Sequence, residues 1–213
     1  MTVEIRDARA EDWPAVLPFF REIVDAGETY AYDPALTDAQ ARDLWMSPSS
    51  APKSRTTVAV DADGTVLGSA NMYPNRPGAG AHVSSASFMV AGAARGKGVG
   101  RALCQDMIAW STTEGFRAVQ FNAVVETNTS AVRLWQSLGF TIIGTVPEAF
   151  DHPTHGYVGL HVMHRPLDWT TAAKRLSTQR QQDDAGRDDR TGQLTHPASP
   201  GRPDGDAAAG VRG

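Results

Sequence analysis

The 17 residues from Ser87 to Leu103 decide the fold, and they read SFMVAGAARGKGVGRAL. They predict a buried strand ending near Val90, a link of small residues, a glycine-rich turn, and a helix that begins at about Gly98. The first N–H groups of a helix have no partner within it, and the helix dipole adds partial positive charge there. Phosphate oxygens commonly occupy such a position, so the stretch predicts an anion-binding turn.

The residues of the turn favour a diphosphate. Three glycines allow a close approach of the backbone to a ligand, and three cations add positive charge. These residues are Gly96, Gly98 and Gly100, with Arg95, Lys97 and Arg101. A P-loop is excluded, because only three residues separate Gly92 from Gly96 and a glycine follows Lys97 where Ser or Thr is needed. The dinucleotide fingerprint is excluded because its third glycine would fall on Arg101. An ordinary strand-to-helix turn remains the alternative.

Composition limits the class of protein. The chain has 213 residues, a net charge of -4 and a pI near 5.8, which argues against nucleic acid or an anionic membrane as a partner. The sequence contains no apolar run long enough to span a bilayer, and its first ten residues lack the apolar core of a signal peptide. A single cysteine, Cys104, fits a reducing compartment and reads as a small core residue. We therefore expect a cytoplasmic protein.

Strands and helices alternate in the second half of the chain, which predicts a mixed α/β sheet covered on both faces. One domain is expected at residues 1–169, followed by a disordered polar tail at residues 170–213, where large aliphatic residues are rare. The predicted strands are residues 3–6, 56–60, 65–70, 82–90, 118–125, 141–146 and 157–164. The predicted helices are residues 11–26, 37–46, 98–114 and one that starts at Asn128.

The pattern Arg95-x-x-Gly98-x-Gly100 after a hydrophobic strand resembles the acetyl-CoA motif Arg/Gln-x-x-Gly-x-Gly/Ala of the GNAT superfamily of N-acetyltransferases. One departure is Gly92, where a proline is common. The resemblance implies the GNAT fold, with a mostly antiparallel mixed sheet, and acetyl-CoA as co-substrate. It also implies these cofactor-binding residues: Phe88, Met89, Val90, Arg95, Gly96, Lys97, Gly98, Val99, Gly100 and Arg101. No metal is expected, because the histidines lack a ligand spacing.

Residues 128–140 resemble a second GNAT block, Asn-x-x-Ala-x-x-Leu-Tyr-x-x-x-Gly-Phe. The resemblance implies that Asn128 binds the cofactor, although a helix cap is the simpler reading and both roles can coexist. Trp135 stands where many relatives have the tyrosine that protonates the leaving thiolate, and an indole cannot serve as that acid. Either water or another hydroxyl supplies the proton, or the thiolate leaves as an anion. Trp135 then packs on the cofactor or in the core.

Acetyl transfer to an amine needs a polarised carbonyl and a base. By resemblance, the backbone N–H of Val90 polarises the carbonyl. Glu28 is the first candidate for the base, because it lies between the first two helices, where this family places its acceptor pocket. Tyr30 is assigned to the same pocket, and Glu126 is the second candidate for the base.

Several short stretches resemble the GNAT branch that contains fungal azetidine-2-carboxylate acetyltransferases. In that branch, the asparagines that match Asn75 and Asn122 would hold a small amino or imino acid, and Asn122 is counted with Glu28 and Val90 as catalytic. An amide offers both a donor and an acceptor to a substrate that carries an amine beside a carboxylate. Gly159 departs from the branch, where an aspartate is frequent.

The sequence therefore predicts an acetyl-CoA-dependent N-acetyltransferase that acts on a small-molecule amine by direct transfer in a ternary complex. Two alternatives stay open: acetylation of a protein or peptide N-terminus, and a non-catalytic acyl-CoA sensor. Relatives often form dimers, so a homodimer is one expectation.

Overall fold

The computed structural model describes residues 2–47 and 51–168. The predicted tail at residues 170–213 and the boundary before it lie outside the described residues. Within the described part of the chain, no helix is long and apolar enough to cross a membrane.

Among the residues that the structure describes, seven strands form one sheet in the order β1-β2-β3-β4-β5-β7-β6. The β4–β5 pair is parallel and the other pairs are antiparallel. This arrangement confirms the predicted mixed, mostly antiparallel sheet. The strands are β1 Glu4–Asp7, β2 Arg55–Val60, β3 Val66–Pro74, β4 Val83–Val90, β5 Ala118–Val125, β6 Thr141–His152 and β7 Gly156–Pro166.

In the described part of the chain, four α-helices cover the sheet, two on each face. They are α1 Trp13–Ala26, α2 Asp38–Met46, α3 Val99–Thr113 and α4 Thr129–Ser137. Aromatic residues of α1 and α2 pack against one face with Val58 and Met89. On the other face, Leu103 and Met107 of α3 and Trp135 of α4 pack against Phe121. The predicted coverage of both faces is confirmed.

β3 and β6 run further than the sequence pattern predicts. β3 continues to Pro74, which pairs with Ser84. β6 was predicted to end at residue 146, yet it pairs again with β7 from Phe150 onward. Residues 147–149 between these two runs form a bulge, and Glu148 has a φ of 51°. Pro147 hides this continuation from a pattern analysis, because a proline normally ends a strand.

β6 is the last strand in the sheet order, and nearly all of it is exposed. Its exposed side chains include Ile143 and Val146. One backbone edge of this strand therefore has no neighbouring strand among the described residues.

The parallel strands β4 and β5 pair over only two residues each before they diverge. Val83 pairs with Ala118 and Ser84 with Val119, and no further pairing joins β4 to β5. From Ser85 to Val90 the strand keeps its pairing with β3 only. The backbone groups on its other edge consequently need other partners or a ligand.

Tyr30 supplies one such partner from the segment between α1 and α2. Its hydroxyl donates to the carbonyl of Phe88 at 2.7 Å and accepts from the N–H of Phe88 at 3.0 Å. Its ring stacks on Tyr32 and meets Trp45 edge-on. Burial raises the pKa of the Tyr30 phenol, so the hydroxyl stays protonated and keeps both bonds.

Tyr30→Phe should lower the free energy of unfolding by about 1 kcal/mol, because it leaves the partly buried N–H and C=O of Phe88 without partners. Urea denaturation followed by fluorescence measures the change. Tyr157→Phe is the matched control, since Tyr157 is 71% exposed and should change stability by less than about 0.5 kcal/mol. Equal stability of the two variants would contradict the assigned role of the hydroxyl.

Candidate active site

The glycine-rich turn has the backbone of an anion site. Gly96 and Gly98 have φ values of 75° and 85°, which other residues rarely adopt. The first backbone bond of α3 runs from the N–H of Ala102 to the carbonyl of Gly98 at 3.0 Å. The preceding N–H groups therefore point out of the helix start, and the turn is exposed.

The side chains of the turn differ in what they can offer a ligand. Arg95 and Lys97 are exposed, and a guanidinium nitrogen of Arg95 lies 3.6 Å from Glu22 on α1. Arg101 is turned toward α4, where it donates to Ser137 Oγ at 2.9 Å. Arg95 and Lys97 are thus the cations most open to a phosphate.

Val99 and Gly100, two of the predicted cofactor-binding residues, can offer a ligand only their backbone. Val99 is 1% exposed, and its side chain belongs to the core. A Cβ on Gly100 would lie 3.3 Å from Leu134 Cδ2, so this glycine also lets α3 pack closely against α4. The glycine-rich pattern predicts only ligand approach at Gly100, because a packing contact with α4 leaves no mark in the local sequence.

Side chains at the end of β4 belong to the hydrophobic clusters on both faces of the sheet. Met89 packs with α1, and Phe88 meets Trp135 at a ring separation of 4.9 Å. Trp135 also contacts Phe121 and is 7% exposed, which agrees with the core-packing alternative. Backbone groups alternate along a strand, so the N–H of Val90 points to the same edge as that of Phe88, where β5 has diverged.

A pocket of about 170 Å³ opens where β5 leads into α4. It brings together Glu28 and Asn128, which the sequence assigned to the acceptor and the cofactor. Asn128 Oδ1 accepts from the N–H of Ala131 at 3.2 Å and so caps α4. The remaining lining residues are Thr29, Thr127, Thr129, Ser130 and His152.

His152 lines the pocket, although the sequence pattern assigned it no role and only excluded a metal-ligand spacing for the histidines. It ends β6 and is 6% exposed. The residues of its loop, Asp151 and Pro153, predict a turn but carry no signal for what the loop faces. The extension of β6 brings His152 to the pocket, and it depends on pairing with the start of β7 across a tight hairpin, in which His152 pairs with Gly156.

Asn75 and Asn122 meet away from this pocket. Asn122 Nδ2 donates to Asn75 Oδ1 at 2.6 Å, and Gln120 Nε2 donates to Asn122 Oδ1 at 2.8 Å. Neither asparagine lines the pocket of Glu28, and neither does Tyr30. The predicted acceptor residues are therefore distributed over more than one place, and their roles stay predictions.

Glu126 is engaged with the backbone of β7. Its carboxylate accepts from the N–H of Gly159 at 2.6 Å, and its own N–H donates to the carbonyl of Gly159 at 3.0 Å. A Cβ at position 159 would lie 2.7 Å from Glu126 Oε2 and 2.8 Å from Thr145 Cγ2. Glu126 thus occupies the space that a side chain at position 159 would take. Because its carboxylate already accepts a backbone hydrogen bond, Glu126 is less suited to act as the base.

A metal site and the thiol of Cys104 are two further candidates for chemistry in the described residues. Across residues 2–47 and 51–168, no three His, Cys, Asp or Glu side chains are grouped as a metal site requires. Cys104 is fully buried, and burial raises the pKa of its thiol to about 12. A thiol in that environment is a packing residue, not a nucleophile.

Comparison with known proteins gives consistent matches. The model of the Acetyltransferase (GNAT) family matches residues 6–140. The solved structure of a GCN5-related N-acetyltransferase from Kribbella flavida is 82% identical, with a TM-score of 0.75, and the match covers 78% of this chain and 98% of that one. The L-methionine sulfoximine/L-methionine sulfone acetyltransferase of Pseudomonas aeruginosa is 31% identical over 149 residues, which are 70% of this chain and 86% of the relative. A phosphinothricin acetyltransferase from Sinorhizobium meliloti, solved with acetyl-CoA, is 28% identical with a TM-score of 0.70, covering 78% and 89% of the two chains.

Fold, glycine-rich turn and matches together define an acetyl-CoA-dependent N-acetyltransferase. The described residues fit that co-substrate, because the exposed turn that leads into α3 carries the exposed cations Arg95 and Lys97. This chain belongs to the GNAT family of acetyltransferases.

Glu22→Gln should tighten coenzyme A binding about two- to fivefold, because an exposed carboxylate near Arg95 competes with a phosphate for it. Titration calorimetry at low salt measures the dissociation constant, and the difference should shrink in high salt. Asp25→Asn, another exposed carboxylate on α1, is the control and should bind as the wild type does. Equal affinity of both variants would show that Glu22 does not compete.

Gly159→Ala should lower the free energy of unfolding by about 1–3 kcal/mol, since the new methyl group collides with the Glu126 carboxylate and Thr145. The cost should be smaller in a Glu126→Ala background, where one of the two obstacles is gone. A double-mutant cycle on urea midpoints measures this coupling. Purely additive effects would rule out the proposed contact.

Proposed function

We propose that this acetyltransferase acetylates the amine of a small amino acid, imino acid or analogue, by direct attack on acetyl-CoA in a ternary complex. The Pseudomonas aeruginosa relative is named for L-methionine sulfoximine and L-methionine sulfone, and it aligns over most of both chains. A place in the azetidine-2-carboxylate branch is the finer part of this proposal and rests on the sequence resemblance. The expected homodimer and the cytoplasmic location stay predictions.

The contact between Asn75 and Asn122 is the observation that carries the proposal. Three amides, from Gln120, Asn122 and Asn75, form a chain of hydrogen bonds that fixes the orientation of each. Amides oriented in this way present donors and acceptors together, which suits a substrate whose amine and carboxylate are neighbours. None of the three is charged, so the arrangement gives a polycationic acceptor little reason to bind.

Different residues of this chain would bind the different parts of acetyl-CoA. Arg95, Lys97 and the N-terminus of α3 would hold its diphosphate. Beyond Phe88, whose backbone groups bond to Tyr30, the edge of β4 that has diverged from β5 would hold its pantetheine arm together with Asn128. When bound, acetyl-CoA supplies a thioester carbonyl as the acetyl donor.

Two groups would assist the attack. The N–H of Val90 would donate to the carbonyl oxygen and stabilise the charge that develops on it. Glu28, exposed at the rim of the pocket, would remove the proton from the acceptor's ammonium group. Trp135 carries no acidic proton, so the thiolate either leaves as an anion or takes its proton from water or a hydroxyl. A free thiol has a pKa of about 8.5, which makes its anion a tolerable leaving group.

The test is a thiol-release assay with acetyl-CoA against a panel of acceptors. The panel contains L-methionine sulfone, phosphinothricin, azetidine-2-carboxylate, the common amino acids and short peptides. Asn122→Ala should reduce kcat/KM for the best small acceptor about tenfold, because one hydrogen bond left unmade costs about 1.4 kcal/mol. Gln136→Ala, an exposed amide on α4, is the control and should keep full activity.

Each alternative has its own outcome in this assay. Turnover confined to peptides would replace the small acceptor with a protein N-terminus. Tight binding of acetyl-CoA without thiol release from any acceptor would favour the sensor.

A further inference from the structure

A bridge of three side-chain amides crosses the face of β4. Asn75 follows the end of β3, Asn122 belongs to β5, and β4 lies between these two strands in the sheet. Side chains alternate along a strand, so Gln120 and Asn122 point away from Phe121, which packs with α3 and α4. The amide bridge therefore lies on the side of the sheet that faces α1 and α2, the side from which Tyr30 reaches the edge of β4.

The hydrogen bonds of the amide bridge run in one direction. Gln120 Nε2 donates to Asn122 Oδ1 at 2.8 Å, and Asn122 Nδ2 donates to Asn75 Oδ1 at 2.6 Å. Among the described residues, Gln120 Oε1 and Asn75 Nδ2 have no hydrogen-bond partner, and neither atom is buried. The bridge therefore has an acceptor end at Gln120 and a donor end at Asn75.

The donor end of the bridge suits an anion. Both N–H groups on Asn75 Nδ2 are free to donate, and a hydrogen bond is stronger when its acceptor is ionised. The guanidinium of Arg76 donates to the backbone carbonyl of Asn75 at 3.2 Å and adds positive charge beside this end. Within the described ranges, Arg76 forms no ion pair with a carboxylate that would cancel this charge. A carboxylate is the anion that the proposed acceptor carries.

We propose that Gln120 is a positioning residue of the acceptor site. By donating to Asn122, it keeps the Nδ2 of Asn75 free, and this Nδ2 donates to the carboxylate of the acceptor. In a bridge of the opposite direction, Asn75 would use one N–H on Asn122 and expose its Oδ1, which repels a carboxylate. The inference rests on the proposed function and deepens it, since it assigns the carboxylate to one end of the bridge and gives Gln120 a role.

Substitutions at Gln120 test the direction of the bridge. An ionised glutamate has the same length but can only accept, so Gln120→Glu should reverse both hydrogen bonds. Gln120→Met removes the first bond without adding charge and leaves the direction unfixed. Gln136→Glu makes the same change at an exposed position of α4 and controls for the added charge. Asn75→Ala removes the donor end itself, and thermal unfolding checks that each variant is folded.

The measurement is the preference for an acid, namely kcat/KM for the best amino or imino acid of the panel divided by that for the same amine without its carboxyl group. Gln120→Glu should lower this preference about tenfold and Gln120→Met about threefold. Both effects should come from KM for the acid, with KM for acetyl-CoA unchanged. In an Asn75→Ala background, Gln120→Met should have no further effect, because the donor end is already absent.

Four outcomes would overturn the inference while the proposed function stands. They are a wild type without preference for the acid, an unchanged preference in both Gln120 variants, an effect of Gln120→Met that persists in Asn75→Ala, and a loss of preference in Gln136→Glu equal to that in Gln120→Glu. Absence of wild-type turnover on every amino and imino acid of the panel would overturn both.

Discussion

The divergence of β4 from β5 after two paired residues is the constraint on which the rest of the structure depends. A buried strand edge must satisfy its N–H and C=O groups. Tyr30 satisfies those of Phe88 from outside the sheet, and Val90 presents its N–H at the same edge. The separation of the strands also gives Phe88, Phe121 and Trp135 room to pack between the sheet and α4. Beyond the last β4–β5 pair, the Tyr30 hydroxyl thus bonds to the edge of β4 from the side of α1 and α2, and aromatic rings pack on the side of α4.

Local features of this protein could be read from the sequence, whereas contacts between distant segments could not. The positive φ values of Gly96 and Gly98 and the cap at Asn128 follow from nearby residues, and the two motifs that contain them identified the family. The Tyr30–Phe88 bonds join residues 58 positions apart, and no local pattern marks them. The arrival of His152 at the pocket depends on pairing that resumes beyond a bulge. Asn75 and Asn122 were singled out by resemblance, but their contact with each other was not foreseen.

Gly92 and Gly159, which differ from the residues common in relatives, each lie against the side chain of a glutamate. A Cβ at Gly92 would lie 2.9 Å from Glu22 Oε1, and one at Gly159 would lie 2.7 Å from Glu126 Oε2. In both places a glutamate from a different element fills the space that a side chain would take. Positions 22 and 92 therefore form one coupled pair and positions 126 and 159 another, since a change at either member alters the room or the bonding of its partner.

The bulge in β6 limits how strands of other chains can pair with this edge of the sheet. A long, flat edge strand with exposed aliphatic side chains such as Ile143 and Val146 invites strand addition by other chains. Pro147 has no N–H to offer, and residues 147–149 leave the regular register. The row of donors and acceptors is thereby cut into two short segments, too short for an incoming strand to lengthen the sheet indefinitely. We expect the irregularity that hides β6 in the sequence to disfavour fibrillar growth at this edge as well.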